Sequence, residues 1–407
     1  MTANNALSVA VLKRRYEAGV DPAQYADFKV FDAIEQIKEW DGDDDAFALE
    51  TEGPQGIGPS IPSAQAALAQ TRFYRGVITR KEFYGAVRIK GQALKTATKK
   101  NDAALVDLWT NQLDGIEQTV IKSLEVLAMG AGNAVLGTIS SGQATVTVTL
   151  TVAEDVNTMS LGQRIQLVNN TTLTPTVRGG YGTITALDRS AGTVTLAAAW
   201  TTTFSGATAG DSIIYADCAA IAGENTIPVG LRQWLIGGST PGTFKNLTRN
   251  DDPVRLASQV LDMTGLPMAE AIIDLESLIQ NQGKTPKLRL IVNPRDMRQV
   301  KKTLYGKVAF AGGGGTPTVG FEGANWQGNN GTITVLQSPF CPKGNVFLKD
   351  MSSFAFLSAG GLMPMNFGTD RMIVLATDDA AESRIGYYGE YREKAPVRSA
   401  RGTGWGQ

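Results

Sequence analysis

The stretch "RFYRGVITRKEFYGAVRIKGQALKTATKKNDAALVDLWTNQLDGIEQTVIKSLEVLAMGAG", residues 72–132, changes its period part-way along, and that change decides the fold. Phe83, Gly85, Val87, Ile89 and Gly91 fall on one face, and Tyr84, Ala86, Arg88 and Lys90 on the other. This is the alternation of a half-buried strand. Residues 72–79 also have strand propensity and "RKE" can turn, so the spacing predicts a β-hairpin. From about Asn101 to Met129 the apolar step lengthens. Leu105, Trp109, Leu113, Ile116, Val120, Leu124 and Leu127 recur every three or four residues and form one helical stripe. Such a helix spans roughly 40 Å at about 1.5 Å per residue. Gly115 inside it costs about 1 kcal/mol relative to alanine, so a bend or close packing is expected there. "GAG" at 130–132 ends it.

The 407 residues suffice for a real core and more than one module. A net charge of -1 supplies no global field toward nucleic acid or a membrane. No apolar run reaches a spanning helix, and the N-terminus lacks the order of features of a signal peptide. Only Cys218 and Cys341 occur, which gives neither a disulfide framework nor a zinc site and fits a reducing cytosolic origin. The count of histidines is 0, which removes Ser-His-Asp and Cys-His nucleophile systems and the commonest metal ligand. Carboxylate or lysine chemistry survives that test.

Residues 1–65 read as an arm, with short helices at 6–18 and 30–40, then "DGDDD" and the Gly/Pro-rich "EGPQGIGPSIPS". Tyr25, Phe28, Phe31, Trp40 and Phe47 give it apolar anchors, which suggests an arm ordered by crossing a neighbouring subunit. Residues 66–98 hold the hairpin and 99–134 the long helix. Over 135–217 the composition shifts to Thr- and Val-rich strands: "ATVTVTLTV", "GQRIQLVNN", "GTITAL", "GTVTLAAA" and "DSIIY". They indicate a small antiparallel barrel or sandwich with its own core, inserted in another domain with its ends close together. The rest is α+β. "PMAEAIIDLESLIQNQG" is a helix, "KLRLIVNP" a strand, and Asn293 caps the helix "PRDMRQVKKTL". "AGGGGTPTVGFEGANW" is a long loop, and "GTITVLQS", "NVFLKD", "RMIVLATD" and "ESRIGYYGEY" supply later strands.

Candidate chemistry is thin. "AGGGG" (311–315) lacks the GK[ST] of a phosphate loop. "DGDDD" (41–45) lacks the sixth-position glycine and twelfth-position glutamate of a calcium loop. Asp378 and Asp379 are adjacent and would point to opposite faces of a strand. No catalytic, cofactor or metal residue follows. Lys13, Arg14 and Arg15, then Lys95, Lys99 and Lys100, and Arg398 with Arg401, form modest basic clusters. Many copies lining a closed surface would sum to a phosphate-facing field.

Taken in order, an arm, a basic ribbon, a long helix beginning near "KNDAALVDLWTNQLDGIEQTVIKSLEVLAMGAGNAVLG" and α+β sequence resemble the major capsid protein family of tailed bacteriophages. That family has the Hong Kong 97-type shell fold. "FYGAVRIKGQALKTA" is similar to the extended loop, "PVGLRQWL…GTFKNLTRNDDPVRLASQV" to the entry of the axial domain, and "KLRLIVNPRDMRQVKKTL" and "ESRIGYYGEYREKAPVRSARGTG" to the axial domain and peripheral sheet. The resemblance spans most of the chain outside 135–217. It implies an axial domain over 218–340, and peripheral strands with a C-terminal tail over 341–407. It also implies an extended loop lying on a neighbouring subunit, with Arg72, Arg75, Arg80, Lys81, Phe83, Val87, Arg88, Ile89 and Lys90 as contact candidates. Lys13, Arg14, Arg15, Lys95, Lys99 and Lys100 would face DNA.

By the same resemblance the chain forms pentamers and hexamers of an icosahedral head. That head packages double-stranded DNA with a portal and separate scaffolding or decoration proteins. It is assembled in the host cytoplasm into a virion, without membrane or cofactor. The first 60 residues are too short and irregular for a long coiled-coil scaffold. The insertion lies outside the minimal fold and would decorate the outer face, strengthen subunit contacts or bind host glycans. A nanocompartment shell of the same fold, a carboxylate enzyme with a β-rich accessory module and a surface adhesin are the rival readings. The missing signal peptide counts against the last.

Overall fold

The computed structural model describes residues 28–90, 108–169, 176–219, 226–238, 242–282, 287–305, 325–328, 331–360, 363–364, 373–374 and 379–405. The expected helix at 6–18, Tyr25, the N-terminal and 95–100 basic clusters, "AGGGG" and Asp378 lie outside the described residues.

The long helix runs Leu108–Met129. Val120, Leu124 and Leu127 are buried as the stripe requires, and the last seven positions, Ser123 to Met129, are buried all round. A Cβ at Gly115 would meet nothing within 4 Å, so the expected close packing is absent there. The close approach belongs to Gly85 instead, where a Cβ would lie 2.8 Å from Val120 and 2.9 Å from Ile116. Strand β4 (Lys81–Lys90) alternates as read, and its Phe83–Gly85–Ile89 face lies on this helix.

β4 does not pair with β3 (Arg72–Thr79). Only Arg80 separates the two strands, too little chain for a hairpin turn. β4 instead forms a ten-residue antiparallel ladder, Lys81↔Gly389 to Lys90↔Ala380, with β21 (Ala380–Glu393). β21 also pairs with β18 (Phe354–Ser358), β19 (Met363–Pro364) and β20 (Ile373–Val374), and β1 (Glu35–Ile37) adds in parallel to β18. β3 finds its partner upstream, in β2 (Asp44–Glu52), to make a separate two-stranded ribbon. The helix expected at 30–40 is confined to Lys29–Ala33 and gives way to β1. Phe28, Phe31, Trp40 and Phe47 are buried in the subunit's own core, so these anchors do not reach a neighbour.

Residues 135–215 close into a barrel, strand order β10-β5-β6-β9-β8-β7. Its members are β5 (Val135–Ser141), β6 (Thr147–Leu150), β7 (Arg164–Val168), β8 (Gly182–Asp188), β9 (Thr193–Leu196) and β10 (Ser212–Tyr215). Val135 pairs with Ile214, which brings the two ends together. The "DRSAG" turn is held by Asp188, whose carboxylate accepts from the Ser190 and Ala191 amides and the Ser190 hydroxyl. The core is not private. Ile139, Val148, Trp200 and Phe204 belong to one apolar cluster with Leu124, Leu127 and Tyr387. Tyr215 donates to Ser123 on the long helix at 3.3 Å, and its ring meets Phe83 edge-on at 5.8 Å.

A second sheet has the order β13-β22-β17-β14-β16-β15. It joins β13 (Gln259–Asp262), β14 (Leu288–Val292), β15 (Asn325–Gly328), β16 (Gly331–Gln337), β17 (Val346–Asp350) and β22 (Ala400–Thr403). The amphipathic Met268–Gln280 helix covers it through Ile272, Leu275 and Ile279, in a second apolar cluster with Leu290, Val292 and Leu348. Asn293 Oδ1 accepts from the Arg295 amide and caps the Pro294–Tyr305 helix. β17 and β22 lie in this sheet while β18 and β21 lie in the first, so residues 341–407 do not form one peripheral segment. Strand partnership over long separations leaves no local periodicity from which that alternation could be read.

Candidate assembly surface

The ribbon β2–β3 is two-faced. Phe47, Leu49, Thr51 and Ile78 are buried against the body, with Phe47 set 6.3 Å from the Trp234 ring. Gly76 is required beneath it, since a Cβ would stand 2.4 Å from the Phe47 ring. Alternate residues Asp44, Ala46, Ala48, Glu50, Phe73 and Arg75 face outward. Beyond the ribbon, residues 53–71 form a tip with a short helix, Ile61–Ala66, that buries none of its residues. Ser60 caps that helix, and Gly58 abuts it so closely that a Cβ would lie 2.8 Å from the Ala64 amide. Ile57, Ile61, Leu68 and Phe73 are 87%, 75%, 73% and 62% exposed, an apolar group left uncovered by the described residues. Clustered exposure of this kind marks a contact surface rather than scattered surface hydrophobics.

The root of the ribbon is pinned by buried charge. β11 (Thr243–Phe244) and β12 (Leu247–Thr248) are joined by Lys245 and Asn246, both left-handed at φ 52° and 63°. The Lys245 carbonyl accepts from the Val77 amide at 2.9 Å, and its Nζ lies 2.7 Å from the fully buried Glu390 carboxylate. Glu390 also accepts from the Val229 and Tyr391 amides. Arg392 reaches Asp45 of β2 at 2.6 Å, and Arg255 donates to the Thr51 carbonyl. A second buried pair, Lys349–Glu393 at 2.5 Å, joins the two sheets, with the Ser353 and Ser399 hydroxyls accepting from the same ammonium. Burial pushes the Glu390 carboxyl up and the Lys349 ammonium down, each opposed by its partner.

The contact candidates separate into two groups. Arg72, Arg75, Arg88 and Lys90 are exposed. Arg80 is half-buried, 3.3 Å from Asp43 and over the Tyr388 ring. Phe83 and Ile89 face inward, where Phe83 stacks on Tyr387 at 5.8 Å. The apolar side of β4 is therefore core, and a role for Phe83 and Ile89 between subunits does not hold. Lys81 and Val87 are half-buried on that same side. The long helix covers the face that the sequence reading left open.

Where barrel, long helix and second sheet meet, a cleft of about 110 Å³ is lined by Gly130, Asn133, Asp155, Arg232, Phe340 and Cys341 among others. Burial raises the Asp155 carboxyl to about 7, against the pull of Arg232. Lys122 donates to the Met159 carbonyl at 3.0 Å and to Ser160 Oγ at 2.9 Å, and burial lowers its ammonium to about 8. Glu154 sits 3.8 Å from Arg295 and 3.9 Å from Lys343, tying the barrel to the second sheet as well. Among the described residues no group of three or more His, Cys, Asp or Glu could hold a metal ion. The cleft is a junction braced by charges.

Sequence reasoning missed Glu125, Glu390 and Lys349. Glu125 alone had a visible signal: it is the single charge in the otherwise apolar or small run "SLEVLAMGAG". Within the long helix it is fully buried.

The cyanophage A-1(L) capsid asymmetric unit aligns over 99% of this chain and 99% of its own, at TM-score 0.59 and 10% identity. The chain has the Hong Kong 97-type fold. The capsid of the native GTA particle aligns over 99% of this chain and 98% of its own, at TM-score 0.53 and 9% identity. No family model matches the sequence, and no curated protein does. Residues 66–98 do not form one hairpin, since β3 pairs with β2 and β4 with β21.

Proposed function

We propose that this chain is the major capsid protein of a tailed bacteriophage, self-assembling into the pentamers and hexamers of an icosahedral shell around double-stranded DNA. The likeness to a capsid subunit over 99% of both chains carries this reading. The uncovered tip supports it. A subunit that leaves Ile57, Ile61, Leu68 and Phe73 in water gains by burying them on another copy, and many such contacts close under symmetry. Arg72 and Arg75, on the exposed side of β3 next to the tip, flank the same contacts. DNA would be held non-specifically through lysine and arginine, a portal would occupy one vertex, and assembly in the host cytoplasm would end in a virion.

Electron microscopy of the purified full chain, with its nucleic-acid content, tests the proposal. Closed shells that retain double-stranded DNA when recovered from infected cells are the expected outcome. Shells that instead enclose a protein cargo and no DNA would make it a nanocompartment. Monomers at every concentration and salt would overturn both.

A further inference from the structure

Glu125 is fully buried in the long helix at the point where three segments meet. Its carboxyl lies 2.5 Å from Ser338 Oγ, just after β16, and 3.4 Å from the Phe31 amide in the Lys29–Ala33 helix. The Val30 amide also faces it. Among the described residues these hydrogen bonds come with no ion pair, in contrast to Glu390, which has Lys245, and Glu393, which has Lys349. A buried carboxylate without a cation is costly, and a buried carboxylic acid is not.

The neighbouring elements do not supply the missing charge. On the 28–34 segment Asp32 is an acid and repels, and Lys29 turns to the exposed side. β21 contributes Tyr391, whose hydroxyl donates to the Leu124 carbonyl, and the loop after β16 contributes Cys341. Arg232 and Arg401 act on Cys341 rather than on Glu125. β4 turns Glu82 and Arg88 to the exposed side.

We propose that Glu125 is a proton-operated latch: protonated, it holds the 28–34 segment and the loop after β16 on the long helix, and ionised, it loosens both. Ser338 Oγ donates to one carboxyl oxygen and the Phe31 amide donates to the other. Ser338 Oγ then accepts from Phe340 as well, at 3.3 Å, which carries the order into the loop. Once the proton leaves, the carboxylate needs further donors. Water entering between the two segments is the nearest source.

Burial raises the carboxyl from 4.5 to about 7, opposed by Ser338 and the amides. The folded chain therefore keeps a proton that the unfolded chain has released. The latch is fully effective below about pH 4.5, weakens as pH rises and is spent above about pH 7.

Hydrogen exchange of the full chain, corrected for intrinsic chemistry, reads this directly. The opening of amides in residues 28–34 and 336–341 should rise with pH, by up to about tenfold per pH unit for one linked proton, and level off above about 7. Glu125→Gln, which keeps a neutral hydrogen-bonding group, should abolish the dependence. Ser338→Ala removes a bond that favours the ionised form, so it should keep the transition and move it to higher pH. A flat wild-type profile, a Glu125→Gln profile that still titrates, or a Ser338→Ala transition that stays in place would each overturn the latch.

Discussion

The barrel and the ribbon solve the same problem in opposite ways. Both are β-structures whose backbones need partners, and both reach out from the long helix and its sheet. The barrel closes, β10 pairing with both β5 and β7, so it leaves no edge. The ribbon has two strands, one face laid on Trp234 and a tip with nothing over Ile57, Ile61 and Leu68. Closure spends side chains inward, whereas an open ribbon leaves binding surface for another molecule. The difference is not one of independence. The barrel shares its core with the long helix, and the ribbon is anchored through buried charge.

Deleting the barrel should produce the largest effect. Replacing residues 138–214 by a short Gly/Ser linker removes the cover over Lys122 and cuts into the apolar cluster shared with Leu124 and Leu127. The remainder should be insoluble or molten, read by near-ultraviolet circular dichroism and the loss of a cooperative melt. A well-folded remainder would show that the barrel is separable. Lys245→Ala comes next, because it strands the fully buried Glu390 carboxylate at the root of the ribbon. A denaturant titration should show a loss of about 3–5 kcal/mol, the usual cost of breaking a buried pair. A loss under about 1 kcal/mol would mean that water reaches Glu390 and that the ribbon is not anchored by charge.

Gly85→Ala is smaller. Its methyl group must displace Val120 and Ile116, and overpacking of this kind costs about 1–3 kcal/mol. An unchanged melt would show that β4 does not press on the long helix. Smallest for the subunit is the pair Ile61→Ser with Leu68→Ser. Both side chains are exposed, so stability should stay within about 0.5 kcal/mol. Assembly, followed by sedimentation, should fail all the same. Unchanged shells would move the contact away from the tip.

The sequence revealed elements where one residue's neighbours along the chain settle the matter. The alternation of β4, the stripe of the long helix and the Thr/Val strands of the barrel are of that kind. It did not reveal partnership. β3 and β4 look like a hairpin by propensity, yet their partners lie at 44–52 and 380–393. β5 "VLGTISS" and β18 "FAFLS" lack strict polar alternation, and β18 is buried on both faces. The buried charges were illegible because a lone Glu or Lys has the same letter in a core as on a surface. Only Glu125, isolated in an apolar run, carried a signal that could have found it.

The single residue between β3 and β4 has a mechanical consequence. One extended residue spans only about 3.3 Å, so Arg80 is a coupling with no slack. A tug on the tip travels down β3, is shared with the Lys245 and Arg392 anchors at its root, and passes without slack to Lys81, the first rung of the ladder to β21. Any lengthening there must be found by moving the sheet or by breaking rungs. What happens at the far end of the ribbon is therefore felt as load on the strand that lies over the long helix.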